Sequence, residues 1–552
     1  MRALLTFLNI QGDGIKGWVD GKILRLIFQN LLVERVESVL SLSLQVWMAL
    51  TEELARDNPE RFAAEFGPHL DPVLTLLATP IGVSRHPHAM DPSLFIRPSG
   101  QTLVLPGFTR PPTSPHSVQE PAAKRRRKSE KREEPVVSAH NVDGHMIQGD
   151  VDLVGVDTLM KTKIAGATAL GRAISLWPRE DAIRTFEARL IPLLTSDYST
   201  TQLVVAMIIE EYAKTTLEVT ELKSRFVEAL SDLFNSPRPR CYLDIMPYMH
   251  IVQAQCRSLL NAFRDIGRVP PAKIPGIAVV CQGEVGAGPD AFGLEKAEKI
   301  VGDDFTRLKR TLQPTQKLMS SQALSDARAS AMAAIDEVKA AKLRRDIRVL
   351  AAAAGAYIAS GELPIKLNPV VRGVMESVKL EENIDLQRRS ALSIATLVGI
   401  CSNTGRGAVA DKLTKNLNSF LCLDVSEVPI FHQLEDLQDS ILSLRKEEDL
   451  KEHTNQADFE REAREAKIKR RGAKEALEQL ASTFGATLFD AVPKLWDCIE
   501  SPLHAVFDGD IPANIKDPEV KIGQEVVDGL STIRALLPKF HPDLHPKVSL
   551  PS

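Results

Sequence analysis

A chain of 552 residues has room for three or four average domains, or for one long repeat array. Hydrophobic residues make up 44% and charged residues 25%, enough to bury a core, but aromatics reach only 5%, which favours stacked helices over a β-sandwich. A formal charge of −4 and an isoelectric point near 6.4 exclude a chain that coats nucleic acid along its whole surface, so any basic function is local. No apolar run approaches the roughly 20 residues that a membrane span requires. Six cysteines are scattered without a CxxC pair. They read as reduced thiols of a cytosolic or nuclear compartment, which argues against a disulfide framework and against a cysteine-based zinc site.

Residues 1–79 alternate helical segments with turn signals. Trp18–Leu32 and Val36–Leu54 carry apolar residues at three- and four-residue spacing, the mark of helices with one buried face. Residues 80–150 are rich in Pro, Ser, His and charge, and the reading there is a disordered loop whose burial cannot offset its ordering entropy. Inside it lies the run Lys124-Arg125-Arg126-Arg127-Lys128, followed by Lys131-Arg132. Neighbouring cations repel and keep such a run extended, so that a receptor groove can meet each side chain; the expectation is a nuclear-localisation signal read by an import receptor. A nucleic-acid contact and an inert solubilising run are the competing readings.

Helical periodicity returns over 151–265, beginning with Val156–Trp177 and punctuated by Pro178, Pro192 and Pro237. Residues 266–290 form an irregular linker with clustered Pro and Gly. Over 291–353 two long charged helices, Phe292–Leu312 and Ser320–Ala353, read as a hairpin inserted into the array and projecting from it, although two ordinary helices with a polar face fit the pattern as well.

The block Gly361–Ile400 is the most informative. Asn368 reads as an N-cap with Pro369 at the first helical position, and Val370, Val371, Val374, Met375 and Val378 then share one face. After Glu381-Glu382-Asn383 a second helix buries Leu386, Ala391, Ile394, Ala395 and Val398, with Arg388 and Arg389 facing out. This unit of roughly 40 residues has the layout of a HEAT repeat. The reading is therefore an all-α HEAT-repeat α-solenoid: HEAT-like helices over 1–79 and 151–265, repeats over 354–430, a charged connector over 431–465, and repeats again over 466–552. A solenoid closes with polar capping repeats; neither end shows one, so the last repeats are expected to be truncated and the chain to be an internal piece of a longer array.

The search for chemistry is negative. There is no GxxxxGK[ST] phosphate loop, HExxH or GxSxG, and the cluster Gly283–Pro289 lacks the Lys-Ser/Thr of a phosphate loop. The histidine pairs His86/His88 and His541/His545 lack a completing ligand. Glu210-Glu211, Asp303-Asp304 and Glu447-Glu448 read as solvated helix faces. No catalytic residue, metal or cofactor is expected.

Three blocks carry a specific resemblance. Lys366-Leu367-Asn368-Pro369 with Met375-Glu376-Ser377 and Glu381-Glu382-Asn383, then Arg470-Arg471-Gly472-Ala473 running to Pro493-Lys494-Leu495-Trp496-Asp497 and Pro502-Leu503, then Gln524-Glu525-Val526-Val527 running to Asp543-Leu544-His545-Pro546, resemble in order and spacing the central HEAT region of the TATA-binding-protein-associated factors. These are Swi/Snf-type ATPases that strip TATA-binding protein from promoters. The resemblance implies a nuclear transcription regulator whose N-terminal solenoid grips TATA-binding protein, with promoter DNA met only indirectly. It also implies a C-terminal motor, whose phosphate loop is absent here, so ATP hydrolysis is not carried over and no contact residue is transferred. The function expected is that of a non-catalytic scaffold, not an enzyme, in which the packing faces Val374, Met375, Val378, Ile394 and Val398 matter more than any site. The alternative is an importin-like HEAT transport receptor, for which a charge of −4 is thin support.

Overall fold

Each helix of the first unit has a local reason to begin where it does. Asp20 accepts from the backbone N–H of Ile23 at 2.8 Å and starts α1 (Gly21–Val33). After α2 (Glu37–Asp57), Asn58 accepts from Arg61 at 3.0 Å, and Pro59 opens α3 (Pro59–Phe66) with its missing N–H at a position that needs none. The computed structural model describes residues 6, 19–103, 143–216, 218, 220–235, 242–284, 287–364, 366–422, 429–430, 443–444, 456–507 and 518–548. Contacts divide the chain into two units, Met1–Ile208 and Ile209–Ser552.

The first unit continues with α4 (Leu70–Ala78), α5 (Val156–Ser175), α6 (Arg179–Leu194) and the start of α7 (Ser199–Thr215). A relay of aromatic rings runs through its interior. Phe28 meets Trp47 at 5.2 Å, Trp47 meets Phe66 at 5.2 Å, Phe62 meets Trp177 at 5.4 Å and Trp177 meets Phe186 at 5.1 Å, each edge to face, the arrangement that ring quadrupoles favour. Six aromatic side chains thus meet where four helices converge.

The loop expected over 80–150 is ordered at both ends. Met90, Phe95 and Leu103 are buried, as are Met146 and Ile147. Gln29 on α1 pairs with Ile96 as a strand would, donating to its carbonyl at 3.0 Å and accepting its N–H at 2.9 Å. Met90 donates to the Ile147 carbonyl at 2.8 Å, tying the two ends together. Averaged composition hid these anchors, because single apolar residues spaced five to eight apart form no periodic stripe. The basic run Lys124–Arg132 lies outside the described residues.

The second unit holds α8 (Glu221–Asn235), α9 (Met246–Asp265), α10 (Leu294–Lys299), a π-helical turn Ile300–Asp304, α11 (Phe305–Thr311), α12 (Pro314–Ala359), α13 (Asn368–Leu380), α14 (Ile384–Asn403), α15 (Gly407–Leu421), α16 (Gln456–Phe484), α17 (Pro493–Phe507) and α18 (Pro518–Leu536). Two-residue strands at Pro429–Ile430 and Ser443–Leu444 pair antiparallel. The fold is all-α, built from helix pairs joined by short turns in the HEAT manner. Asn368 is the first helical residue rather than the cap, one position from its expected place. The connector expected over 431–465 already contains the first turns of α16 from Gln456, and α18 begins at Pro518, ahead of the expected Gln524.

Where two long helices were expected over 291–353, the first is divided into α10, the π turn and α11, and the second does not stop at 353. α12 runs 46 residues to Ala359. Its first half turns a single stripe, Leu324, Ala331, Ile335 and Val338, inward, against α10 and the π turn, where Arg328 donates to the Val301 carbonyl at 3.0 Å. Leu318 on the outer face is 84% exposed. The last three turns are buried on all sides, with Val349, Ala351, Ala353, Ala354, Ala356 and Ile358 covered by α9, α13 and α14. The alanine run permits this: Gly373 on α13 comes so close that an added Cβ would lie 2.9 Å from the Leu350 carbonyl oxygen. One helix therefore serves as both insertion and core repeat, and an average hydrophobic stripe over its length does not exist.

Lys163 in the first unit is 7% exposed and donates to the Leu77 carbonyl at 2.8 Å, capping α4 beside Thr201, which reaches the Ala78 carbonyl at 3.1 Å. Burial pushes its ammonium down from 10.5 to about 7. Between these values the unfolded chain binds a proton that the folded chain does not, so stability should rise with pH from about 7 to about 10. Urea unfolding followed by the tryptophans of this unit should show that slope, and Lys163→Met should remove most of it; an equal slope in the variant would contradict the assignment.

Candidate functional site: buried charge junctions between helices

α7 enters the second unit as an apolar helix, and its run Leu203–Ile209 is covered throughout. Glu210 and Glu211 follow directly in the interior, with side chains only 2% and 10% exposed. They do not form the solvated face expected of them. Arg389 of α14 binds both, at 2.6 Å to Glu210 and 3.0 Å to Glu211, and Lys214 one turn along α7 adds 2.6 Å and 3.2 Å contacts to the same two carboxylates. Burial alone would raise the Glu210 carboxyl, but Arg389 and Lys214 outweigh it and hold it below the ordinary carboxylate range. Burial likewise opposes the Arg389 charge, yet Glu210 and Glu211 keep its guanidinium above its usual value. Gly355 of α12 closes the site: a Cβ there would stand 3.2 Å from the Glu210 carboxyl carbon.

Arg388 and Arg389 were both expected to face out. Arg388 does, 54% exposed with Glu475 at 3.1 Å, whereas Arg389 points inward. On a helix, neighbours differ by about 100°, and here that turn sends Arg388 to solvent and Arg389 to the interior. The signal available in the sequence was the flank of Glu210-Glu211, carboxylates set inside a helix apolar on every side.

A second junction sits at the turn Glu381-Glu382-Asn383. Arg348 of α12 grips the Glu381 carboxylate through two nitrogens, at 2.8 Å and 3.0 Å, and the same carboxylate accepts the Asn383 N–H at 2.9 Å. Asn383 caps α14 by accepting from Leu386 at 3.0 Å. From α16, Arg471 donates to the carbonyls of Glu381 at 3.0 Å and Glu382 at 2.9 Å and to the Gln387 side chain at 2.6 Å. Gln387 in turn bridges the Val378 carbonyl at 2.8 Å and the Ile468 carbonyl at 3.0 Å. Gly472 is required for this approach, since an added Cβ would fall 2.1 Å from the Val378 oxygen. The blocks Glu381–Asn383 and Arg470–Ala473, distant in sequence, thus meet in one hydrogen-bonded junction of four helices. A third pair, Arg345 of α12 with Asp244 at 3.4 Å, joins α12 to the turn before α9.

The residues read from the sequence as packing faces lie around the second junction. Val374, Val378, Ile394 and Val398 are fully covered, and Met375 is 5% exposed. Each carboxylate of these junctions faces at least one cation, which suits fixing helix register rather than acid–base work. A groove of about 320 Å³ between α8, α12 and α13 is lined by Phe234, Tyr357, Pro364, Lys366, Pro369 and Val370 among others and brings no paired acid and base together. Elsewhere in the unit, His250, Cys281 and Glu284 converge; neither the histidine pairs nor the cysteine spacing pointed to them. Cys281 is fully buried, and burial, with Glu284, pushes its thiol up to about 11, the reverse of an activated nucleophile.

A family profile described as "Domain of unknown function (DUF3535)" matches residues 46–498. The chain belongs to that family. It is 49% identical over 99% of its length to the TATA-binding protein-associated factor mot1 of Aspergillus fumigatus, 32% identical over 97% to mot1 of Schizosaccharomyces pombe, and 30% identical over 98% to MOT1 of Saccharomyces cerevisiae. It spans only 28–29% of the length of these relatives. The resemblance to the TATA-binding-protein-associated factors, carried in the sequence by three blocks, therefore extends over nearly the whole chain. Among the described residues no helix is long and apolar enough to cross a membrane.

The two arginines provide a matched test. Arg389→Met leaves two carboxylates buried with one lysine and should cost about 3–5 kcal/mol, whereas Arg388→Met should cost less than about 1 kcal/mol. Equal shifts in the urea midpoint would contradict the junction.

Proposed function

We propose that this chain is the non-catalytic scaffold of a nuclear regulator that displaces TATA-binding protein from promoter DNA, joining partner-gripping repeats to an ATPase motor that lies elsewhere in the full-length family members. What carries the reading is the pairing of two facts: similarity to TATA-binding protein-associated factors over 99% of the chain, and helix interfaces locked by buried charge rather than by apolar packing alone. Apolar interfaces slide; a bidentate arginine tolerates little displacement before its pairing energy is lost. A stack of helix pairs joined in this way transmits a push from the motor instead of absorbing it. TATA-binding protein is the partner of the whole assembly, promoter DNA is met indirectly, and the basic run Lys124–Arg132 is the address read by an import receptor.

The test is a chimera in which this chain replaces the matching segment of the Aspergillus fumigatus relative. It should hydrolyse ATP and remove TATA-binding protein from TATA DNA. Adding Arg471→Ala should leave hydrolysis unchanged and slow removal by roughly fivefold, the scale of about 1 kcal/mol of lost coupling. Equal loss of both activities, or of neither, would contradict a transmitting role.

A further inference from the structure

The linker ahead of the hairpin is held to α9 at a point where three metal-ligating side chains meet. His250 stands on α9, and Cys281 and Glu284 lie on the linker. The Cys281 Sγ is 3.6 Å from His250 Nδ1, Glu284 Oε1 is 2.9 Å from the other ring nitrogen, Nε2, and one ligand atom from each of the three residues lies within 4.8 Å of the others, so an ion held at Nδ1 beside the sulfur draws the Glu284 carboxylate off Nε2. A tight turn brings thiol and carboxylate to one side: Glu284 donates to the Cys281 carbonyl at 3.3 Å, and Gly283 occupies the left-handed region at φ +97°, which a side chain would strain. In tetrahedral zinc, with Zn–S of about 2.3 Å and Zn–N of about 2.0 Å, a sulfur–nitrogen edge is about 3.5 Å, close to the separation here.

We propose that His250, Cys281 and Glu284 bind a thiophilic divalent cation of the zinc class, with water as fourth ligand, and that the ion clasps the linker onto α9. Thiolate, imidazole and carboxylate together select zinc over magnesium or calcium, which prefer oxygen ligands alone. The thiol loses its proton to solvent as the metal–sulfur bond forms. The clasp has structural work to do. Apolar burial holds this stretch only in part: Cys281 and Phe292 are covered and paired through the backbone, with Gln282 donating to the Phe292 carbonyl at 2.7 Å, but Val279 is 80% and Val280 42% exposed, and the tethers to α9 include Gln253 and Arg257, which reach its carbonyls at 3.1 Å and 3.4 Å. A metal here would fix the base of the hairpin that follows at Leu294.

Cobalt(II) reports the site directly. The 552-residue chain, stripped with chelator, should on addition of one equivalent of cobalt develop a thiolate-to-cobalt charge-transfer band together with the visible absorption of tetrahedral cobalt, and zinc should bleach both. His250→Ala removes an exposed side chain and should keep the fold, shown by an unchanged melting curve of the metal-free protein, while weakening cobalt binding at least tenfold. Cys281→Ser should abolish the charge-transfer band with the other cysteines in place. Absence of the band, or a band that survives both substitutions, overturns the proposal.

Discussion

A charge taken out of water must find its opposite at hydrogen-bond distance, or the fold loses several kcal/mol. The second unit depends on that constraint. α12 carries arginines at Arg345 and Arg348 that meet carboxylates presented by other elements, and Arg389 of α14 meets the carboxylates of α7. Because each pair is desolvated, a displacement that an apolar contact would absorb breaks it. The alanine run of α12 and the close approaches at Gly355, Gly373 and Gly472 follow from the same demand, since long side chains at those points would hold the charged groups apart.

This gives a physical meaning to the blocks of sequence by which the chain resembles the TATA-binding-protein-associated factors. Arg471 and Gly472 are read together because one supplies donors to the carbonyls of Glu381 and Glu382 and the other supplies the space to reach them. Lys366 and Pro369 line a groove beside Tyr357. A repeat recognised only by its apolar spacing would lack these words, for apolar positions accept many residues whereas a bidentate clamp accepts few.

The sequence made the helix class, the helix pair α13 and α14, and the burial of Val374 and Ile394 legible, because those depend on periodicity, which a single chain displays. It concealed whatever depends on a distant partner. Glu210 and Glu211 read as solvated because Arg389, which binds both, lies on another helix, and Arg389 read as outward for the same reason. The ordered ends of the 80–150 stretch were hidden by a low average of apolar residues, although Phe95 and Ile147 are buried. The 46-residue α12 was divided at Ala353 because its buried face changes partway along. The meeting of His250 with Cys281 and Glu284 joins a helix to a linker, and no spacing rule covers that.

Hydrogen exchange on the Arg471→Ala chain tests the central claim most directly. If buried charge locks the helices as one unit, protection should fall together in α13, at the Glu381–Asn383 turn, in the first turns of α14 and in α16, since all four lose one shared anchor. Faster exchange confined to the residues beside position 471, with the Leu386 and Gln387 amides as slow as before, would show that apolar packing alone holds these helices in register and would contradict the account.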